Sequence, residues 1–286
     1  MSILKFMRNS LLGTAAVLAL AVGASAACIV DGEGGSGGRW PWSDYRFTED
    51  FHKVIPLPAD GSFSLRNTNG KLQISTWDRP EVEIKAVKSA RDSKSDLDLV
   101  RIEIETGRNS VFVDTVYERR RNLRVNVNYE VRVPEGVRLD NVRLTNGDIA
   151  LTGRFSDVEA STTNGGIRLE NASGRISLGT TNGGIKAHDV RGPLQARTTN
   201  GSITLECREI ADDINASTTN GSITLRVPRA PDADVSLRTT NGSIKLDHPM
   251  TIQGTVNSKR QMRGQMGKGG PEISLKTTNG SITVAR

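Results

Sequence analysis

The hexapeptide TTNGSI at residues 198–203 is one of eight related copies in the chain. Identical copies begin at residues 218, 239 and 277, the near-copy TTNGGI begins at 162 and 180, and the looser copies LTNGDI and NTNGKL begin at 144 and 67. A catalytic site is normally built once, whereas a motif that recurs at a fixed period is typical of stacked structural repeats. The hexapeptide therefore predicts an architectural role.

Apolar and polar residues alternate on both sides of each Asn-Gly pair. Around Asn182, Ile176 and Leu178 precede the pair and Ile185 and Ala187 follow it, with polar residues or glycine between them. This period of two predicts two half-buried strands joined by a corner. It also predicts that the first threonine of a TTNG copy faces the core and that the second faces solvent.

The spacing of the copies bears on the choice between two all-β folds. Asn-Gly between alternating strands is a strong hairpin signal, which favours an antiparallel β-meander or sandwich. The asparagines from residue 146 onwards are, however, 18, 18, 18, 20, 21 and 38 residues apart. Identical corners can bond to one another when coils stack about 4.8 Å apart. We therefore predict a single-stranded parallel β-solenoid with coils of about 18–21 residues, with the hairpin fold as the alternative.

Three other features complete the predicted fold. The predicted turn ladder consists of Asn164, Gly165, Asn182, Gly183, Asn200, Gly201, Asn220, Gly221, Asn241, Gly242, Asn279 and Gly280. Residues 75–135 alternate less regularly and predict a strand region that caps the N-terminal end of the stack. We place an N-terminal β region with the first coil at 49–140 and the repeat solenoid at 141–286, with an excursion or irregular coil at 254–270.

The first 26 residues have the pattern of a secretory signal peptide. Lys5 and Arg8 precede an apolar run at 11–23, and the small residues at 24–26 supply a cleavage site. Residues 27–48 are rich in glycine and then in aromatic side chains, and predict a tether. We therefore expect an exported protein, in the periplasm, at the cell surface or secreted.

Cys28 directly follows the predicted signal and is a candidate for lipidation. Residues 25–28 read Ser-Ala-Ala-Cys, which fits a permissive lipobox. The alternatives are an unmodified thiol and a disulfide with Cys207, the only other cysteine in the chain. A lipid on Cys28 is the one membrane attachment that we expect.

A local cluster of positive charge, and not the net charge of the chain, suggests an anionic partner. The formal net charge is +6, and both signs are interspersed along the strands. Lys259, Arg260, Arg263 and Lys268 lie in a stretch, 258–270, that has no acidic residue. They predict contact with an anionic envelope polymer or with lipid headgroups, and a solvated loop is the alternative. Export argues against a nucleic-acid partner.

The chain resembles a family of exported bacterial proteins named "putative adhesins", a domain family of unknown function. The resemblance rests on TWDRPEVEIKAVKSA (76–90), YEVRVPEGVRLD (129–140) and the TNGxI coils that follow, and it covers about residues 60–286. It implies a β-solenoid on the cell envelope, and the family pattern carries no catalytic residues.

Two classes of function remain in view. We expect a non-enzymatic, adhesin-like module of the cell envelope that binds an envelope polymer or surface protein, or that is purely structural. The alternative is a polysaccharide-active enzyme on a β-helix, which needs converging carboxylates or a metal. The candidate groups are Asp189, Asp213, Asp247, His188 and His248, which have the positions of turn residues. We predict no catalytic, metal or cofactor site.

Overall fold

The computed structural model describes residues 46–118, 123–252 and 260–286. The predicted signal peptide, most of the predicted tether, Cys28 and Lys259 lie outside these residues. No helix within the described ranges has the length and apolarity needed to cross a membrane.

Strands make up most of the described chain. In chain order they are β1 (Phe47–Pro56), β2 (Ser62–Asn69), β3 (Leu72–Trp77), β4 (Glu81–Ala90), β5 (Val100–Thr106), β6 (Ser110–Tyr117), β7 (Val125–Pro134), β8 (Arg138–Asn146), β9 (Ile149–Phe155), β10 (Val158–Asn164), β11 (Ile167–Ala172), β12 (Ile176–Asn182), β13 (Ile185–His188), β14 (Leu194–Asn200), β15 (Ile203–Glu206), β16 (Ile214–Asn220), β17 (Ile223–Arg226), β18 (Ala233–Asn241), β19 (Ile244–Leu246), β20 (Thr251–Ile252), β21 (Gln261–Met266), β22 (Glu272–Asn279) and β23 (Ile282–Ala285). A 3-10 helix, Lys94–Leu99, lies between β4 and β5.

The strands form two long sheets. Sheet A has the order β1-β4-β7-β3-β9-β11-β13-β15-β17-β23-β19, and sheet B has the order β20-β21-β18-β22-β16-β14-β12-β10-β8-β2-β6-β5. Each repeat contributes one strand to sheet B before its Asn-Gly corner and one strand to sheet A after it. The strand β10, for example, pairs in parallel with β8 and β12, while β11 belongs to the other sheet.

The predicted parallel β-solenoid is therefore confirmed. The hairpin alternative is wrong, because the two strands on either side of an Asn-Gly corner do not pair with each other. Strand pairs one coil apart have the side chains and backbone in the same register, from Ile176↔Leu194 to Asn182↔Asn200. Equivalent residues of successive coils are thus neighbours.

One apolar core runs between the two sheets. The isoleucine that follows each corner is at most 2 % exposed at residues 149, 167, 185, 203, 223 and 282. Burial of one such side chain stabilises the fold by about 1.5–3 kcal/mol. The first threonine of each TTNG pair is also buried, and the second is mostly exposed, as the alternation predicts.

The asparagine side chains form a continuous hydrogen-bonded ladder along one edge of the stack. Asn182 Nδ2 donates to Asn164 Oδ1 at 2.8 Å, and Asn200 Nδ2 donates to Asn182 Oδ1 at 2.8 Å. The same bond, always in the same direction, joins Asn69, Asn146, Asn164, Asn182, Asn200, Asn220, Asn279 and Asn241 in that spatial order. Each asparagine between the two ends of this ladder therefore acts as both donor and acceptor.

The other residues of the motif also bond from coil to coil. Thr180 Oγ1 donates to the carbonyl oxygen of Gly165 at 2.9 Å, and the equivalent threonines repeat this contact along the stack. Glycine is required because the coils approach closely at the corner. A Cβ atom on Gly183 would lie 1.9 Å from the carbonyl oxygen of Gly165. The sequence T-x-N-G is thus explained by contacts between coils.

The order of the last coils departs from the order of the sequence. The strands β22 and β23, the C-terminal coil, lie between β16/β17 on one side and β18/β19 on the other. The strand β21, inside the predicted excursion, pairs antiparallel with β18 on its outer side. The middle of the basic stretch is therefore a strand that covers β18, the sheet B strand of the last coil in space.

The predicted N-terminal cap is confirmed. In sheet A, β1 and β4 pair antiparallel, and β4 pairs antiparallel with β7 next to the first coil. In sheet B, β5 and β6 cover β2. A buried lysine fixes this region, since Lys88 Nζ contacts Glu49 Oε1 at 2.8 Å and donates to the carbonyl oxygen of Val100 at 3.2 Å.

The close approach of coils predicts that alanine lowers stability at one glycine and not at another glycine four residues away. We expect Gly183→Ala to lower the free energy of unfolding by about 2–3 kcal/mol, because its Cβ would overlap a backbone oxygen. At Gly179 the nearest atom to an added Cβ is 3.9 Å away, so Gly179→Ala should be neutral or slightly stabilising. Urea unfolding followed by circular dichroism measures both changes, and equal losses would contradict this packing.

The ladder predicts that stability depends on the number of side-chain bonds lost. Asn200→Ala removes two ladder bonds and should cost about 1–2 kcal/mol. Asn241→Ala, at the end of the row, removes one and should cost about half as much. The same urea titration tests this. A larger loss at Asn241 than at Asn200 would argue against the ladder as a stabilising element.

Candidate functional site

Two rows of side chains cross the outer face of sheet B. The threonine row is the outward threonine of each copy: Thr68, Thr145, Thr163, Thr181, Thr199, Thr219, Thr278 and Thr240, in spatial order. The cation row lies two residues before it on each strand: Arg66, Arg143, Ser161, Gly179, Arg197, Ser217, Lys276 and Arg238. Strand pairing places each member of the cation row directly beside the next.

The cation row is long and contains no acidic residue. It crosses eight strands, so it extends over about 33 Å at the usual strand spacing. Five of its eight members are basic, and the others are serine or glycine. The face is thus a line of positive charges with hydroxyl groups beside it.

A shallow depression of about 590 Å³ lies in the first half of this face. We call it the basic groove, defined by Arg66, Arg143, Ser161, Gly179 and Arg197 together with the adjoining threonines. The small residues Ser161 and Gly179 form its floor because they leave space between longer neighbours. Arg143 and Arg197 stand on either side of this floor, three strand spacings or about 14 Å apart.

The cations of the row differ in their partners. Arg66 donates from Nε and Nη2 to the two carboxylate oxygens of Asp114 at 3.0 and 2.6 Å, which raises the pKa of Arg66 further. Arg143 has a longer contact, 3.8 Å, with Glu159. In the described residues, no carboxylate pairs with the other three: Arg197, Lys276 and Arg238. Their charges are therefore available to a ligand.

Next to the N-terminal cap, the outer face of sheet A is different, because the charges around Glu83 pair with one another. Glu83 contacts Lys85 at 3.2 Å, His52 at 3.1 Å and Arg132 at 3.6 Å. Burial alone would raise the pKa of Glu83, but hydrogen bonds from Lys85 and His52 and the nearby positive charges lower it below its ordinary value. A groove of about 510 Å³ beside these residues is consequently close to charge balance.

The candidate catalytic groups named from the sequence do not converge. Asp189 pairs with Arg208 at 2.9 Å, Asp247 lies 3.4 Å from Lys245, and Asp213 Oδ1 accepts a hydrogen bond from the backbone of Glu272. His188 is 3.7 Å from Glu206, and His248 Nε2 contacts the carbonyl oxygen of Val227 at 3.0 Å. His188 is on β13 and Asp247 directly follows β19, and these strands are four spacings apart, about 19 Å.

Among the described residues, two buried atoms near these corners have no hydrogen-bond partner: Asp189 Oδ1 and His248 Nδ1. They belong to different coils. Within the described ranges, no group of three or more His, Cys, Asp or Glu side chains is arranged to hold a metal ion.

The basic stretch named from the sequence contributes one residue to the face. Arg263, on β21, pairs with Ser236 of β18, which is the strand that carries Arg238. The backbone N–H of Lys268 donates to Asp232 in the turn after β21, and the carbonyl oxygen of Arg260 accepts from Thr239. The structure does not gather these residues into one cluster. The cation row was the missed feature, although its signal, a cation three residues before several of the asparagines, is present in the sequence.

Cys207 is a free thiol that is only 4 % exposed. Burial, with a smaller contribution from the charge of Asp189, raises the pKa of this thiol to about 11. The thiol is therefore protonated and shielded in the folded chain.

One family model matches most of the chain. Residues 39–285 match the family model named Toastrack DUF4097. Similar solved structures include a "putative adhesin" from Bacteroides fragilis NCTC 9343, with 12% identity, a TM-score of 0.46, and coverage of 82% of this chain and 97% of that one. They also include a "putative cell adhesion protein" from Clostridium sporogenes ATCC 15579, with 13% identity, a TM-score of 0.35, and coverage of 84% and 99%. No protein of curated function matches the chain.

The environment of Cys207 predicts its reactivity. In a Cys28→Ser background, we expect iodoacetamide at pH 8 to leave Cys207 unmodified in the folded chain and to label it fully in urea, as intact mass will show. The folded state keeps the thiol proton up to about pH 11, whereas the unfolded state loses it near pH 9. This thiol's contribution to stability should therefore decline between about pH 9 and 11. Rapid labelling of the folded chain would contradict the burial.

Proposed function

Since the chain belongs to the Toastrack family DUF4097, which confirms the resemblance seen in its sequence, we propose that it is an adhesin-like protein of the cell surface that holds an extended anionic polymer. The polymer lies along the cation row, in and beyond the basic groove, and is bound without being chemically changed.

A single observation carries this proposal: the alignment of the cation row beside the threonine row. Arg197, Lys276 and Arg238 have no carboxylate partner among the described residues and all point to the same face. Guanidinium groups bind carboxylate or phosphate oxygens in a bidentate manner, and hydroxyls bond to sugar hydroxyls or further anionic oxygens. A polymer that carries several anionic groups and hydroxyls can contact both rows at once.

The form of the face supports an extended ligand over a compact one. Small-molecule sites are concave and largely apolar, and protein interfaces depend on buried aromatic or arginine anchors. The face of sheet B is open, polar and about 33 Å long. Because the strands are fixed by hydrogen bonds to both neighbours, binding there orders little of the protein backbone.

The position at the envelope is supported by the sequence before residue 49. The pattern of a signal peptide, the Gly-rich tether and the lipidation candidate Cys28 would place the solenoid outside the cytoplasm and off the membrane surface. Lipidation of Cys28 remains a prediction, and so does the surface location itself.

The proposal that the protein does not catalyse a reaction on the polymer is supported by the partners of the candidate catalytic groups. The side chains of Asp189, Asp213 and Asp247 hold ion pairs or backbone donors at separate corners. An acid and a base that act on one glycosidic bond must lie within about 10 Å of each other.

Binding to polyanions of known composition tests the proposal. Alginate, polyphosphate and neutral dextran are titrated against the chain by interferometry at several salt concentrations. We expect binding to at least one polyanion, weakening as salt rises, and none to dextran. Arg143→Gln with Arg197→Gln should weaken binding about tenfold, because two exposed charge contacts are lost.

The matched control removes the same charge from the opposite face. Arg168→Gln with Lys186→Gln, exposed on sheet A, should leave affinity within about twofold. An equal loss of affinity in both double variants would mean that binding depends only on net charge, and it would contradict a binding site on the outer face of sheet B. Failure to bind either polyanion at low salt would contradict the proposal, and release of reducing ends would favour the enzyme alternative.

A further inference from the structure

Two coils that are consecutive in the sequence are not neighbours in space. The coil of β16 and β17 ends at Arg226, and β18 begins at Ala233, with six residues between them. Between these two coils lies the C-terminal coil, which pairs in parallel with both. The chain thus leaves a slot one coil wide and fills it with its last strands.

The linker does not force this gap. The seven residues between β15 and β16 cross one strand spacing, and so do the five between β13 and β14. The six residues between β17 and β18 cross two spacings. The coils on either side of the slot have the same register, since Thr218 and Thr239 both pair with Thr277. They could therefore stack directly on each other, as other consecutive coils do.

The occupant of the slot is held by the standard contacts of the stack. Ile273, Leu275, Ile282 and Val284 are fully buried. Thr277 Oγ1 donates to the carbonyl oxygen of Gly221 at 2.8 Å, and Asn279 occupies its place in the asparagine ladder. These contacts, and the hydrogen bond from the backbone of Glu272 to Asp213, join the segment to neighbouring coils through surfaces that every copy of the chain presents.

We propose that the segment Glu272–Ala285 is exchangeable and fills the same slot of a second copy of this chain. Exchange replaces each contact by an identical one, as in other domain-swapped dimers. The connecting turn, 267–271, contains three glycines with positive φ, Gly267, Gly269 and Gly270, and extends to at most about 17 Å. Two copies must therefore meet with these turns facing each other.

A disulfide between two differently substituted chains tests the exchange. Thr224 and Thr283 are paired neighbours on β17 and β23 and face outward. Chains carrying Thr224→Cys or Thr283→Cys, both in the Cys28→Ser background, are mixed at high concentration, pulsed briefly with urea and oxidised. We expect a disulfide-linked heterodimer. The double variant Thr224→Cys/Thr283→Cys should close the same bond within one chain in the absence of the pulse.

The matched control is Thr204→Cys mixed with the Thr283→Cys chain. Thr204 lies one strand further away, on β15, about 9.6 Å from Thr283, which is beyond the reach of a disulfide. The Thr224→Cys mixture should give at least fivefold more heterodimer than this control. Equal yields would overturn the proposal. The unsubstituted chain is followed by light scattering after the same pulse, and if it remains wholly monomeric the proposal is also overturned.

Discussion

Every feature of this solenoid depends on the distance of about 4.8 Å between equivalent backbones of adjacent coils. At that distance an asparagine can bond to the next asparagine, a buried threonine can reach the glycine carbonyl of its neighbour, and no Cβ fits beside that carbonyl. The threonine, asparagine and glycine of the corner are therefore all required by the same spacing between coils. The isoleucines and leucines behind it supply apolar burial, while the corner determines which residues lie next to each other.

The same register that builds the corners also produces the candidate binding face. A residue three positions before one asparagine must lie beside the residue three positions before the next. Charges that are scattered in the sequence from Arg66 to Lys276 thus become one row. Such a row is not intrinsically stabilising, because like charges repel. It persists on a scaffold whose stability comes from apolar burial and corner contacts.

The sequence contains enough information for the coil but not for the order of coils. The alternation around Asn182 and the identity of the copies predict the two sheets, the buried threonine and the ladder. Because the copies are nearly identical, local sequence cannot specify which copy lies next to which. The pairing of Asn220 with Asn279, and of Arg66 with Arg143 across 77 residues, depends on the whole chain. The adjacency of Lys276 and Arg238 in the cation row depends on that order.

The asparagine ladder also gives the stack an electrical direction. Every Nδ2 donates toward the N-terminal cap and every Oδ1 faces away from it. The side-chain dipoles are therefore parallel, and each polarises the next. Their negative pole lies at Asn241, where the final carbonyl oxygen of the row is exposed. The two ends of this protein are thus chemically distinct, as the two ends of an α-helix are, although the stack contains no helix along its axis.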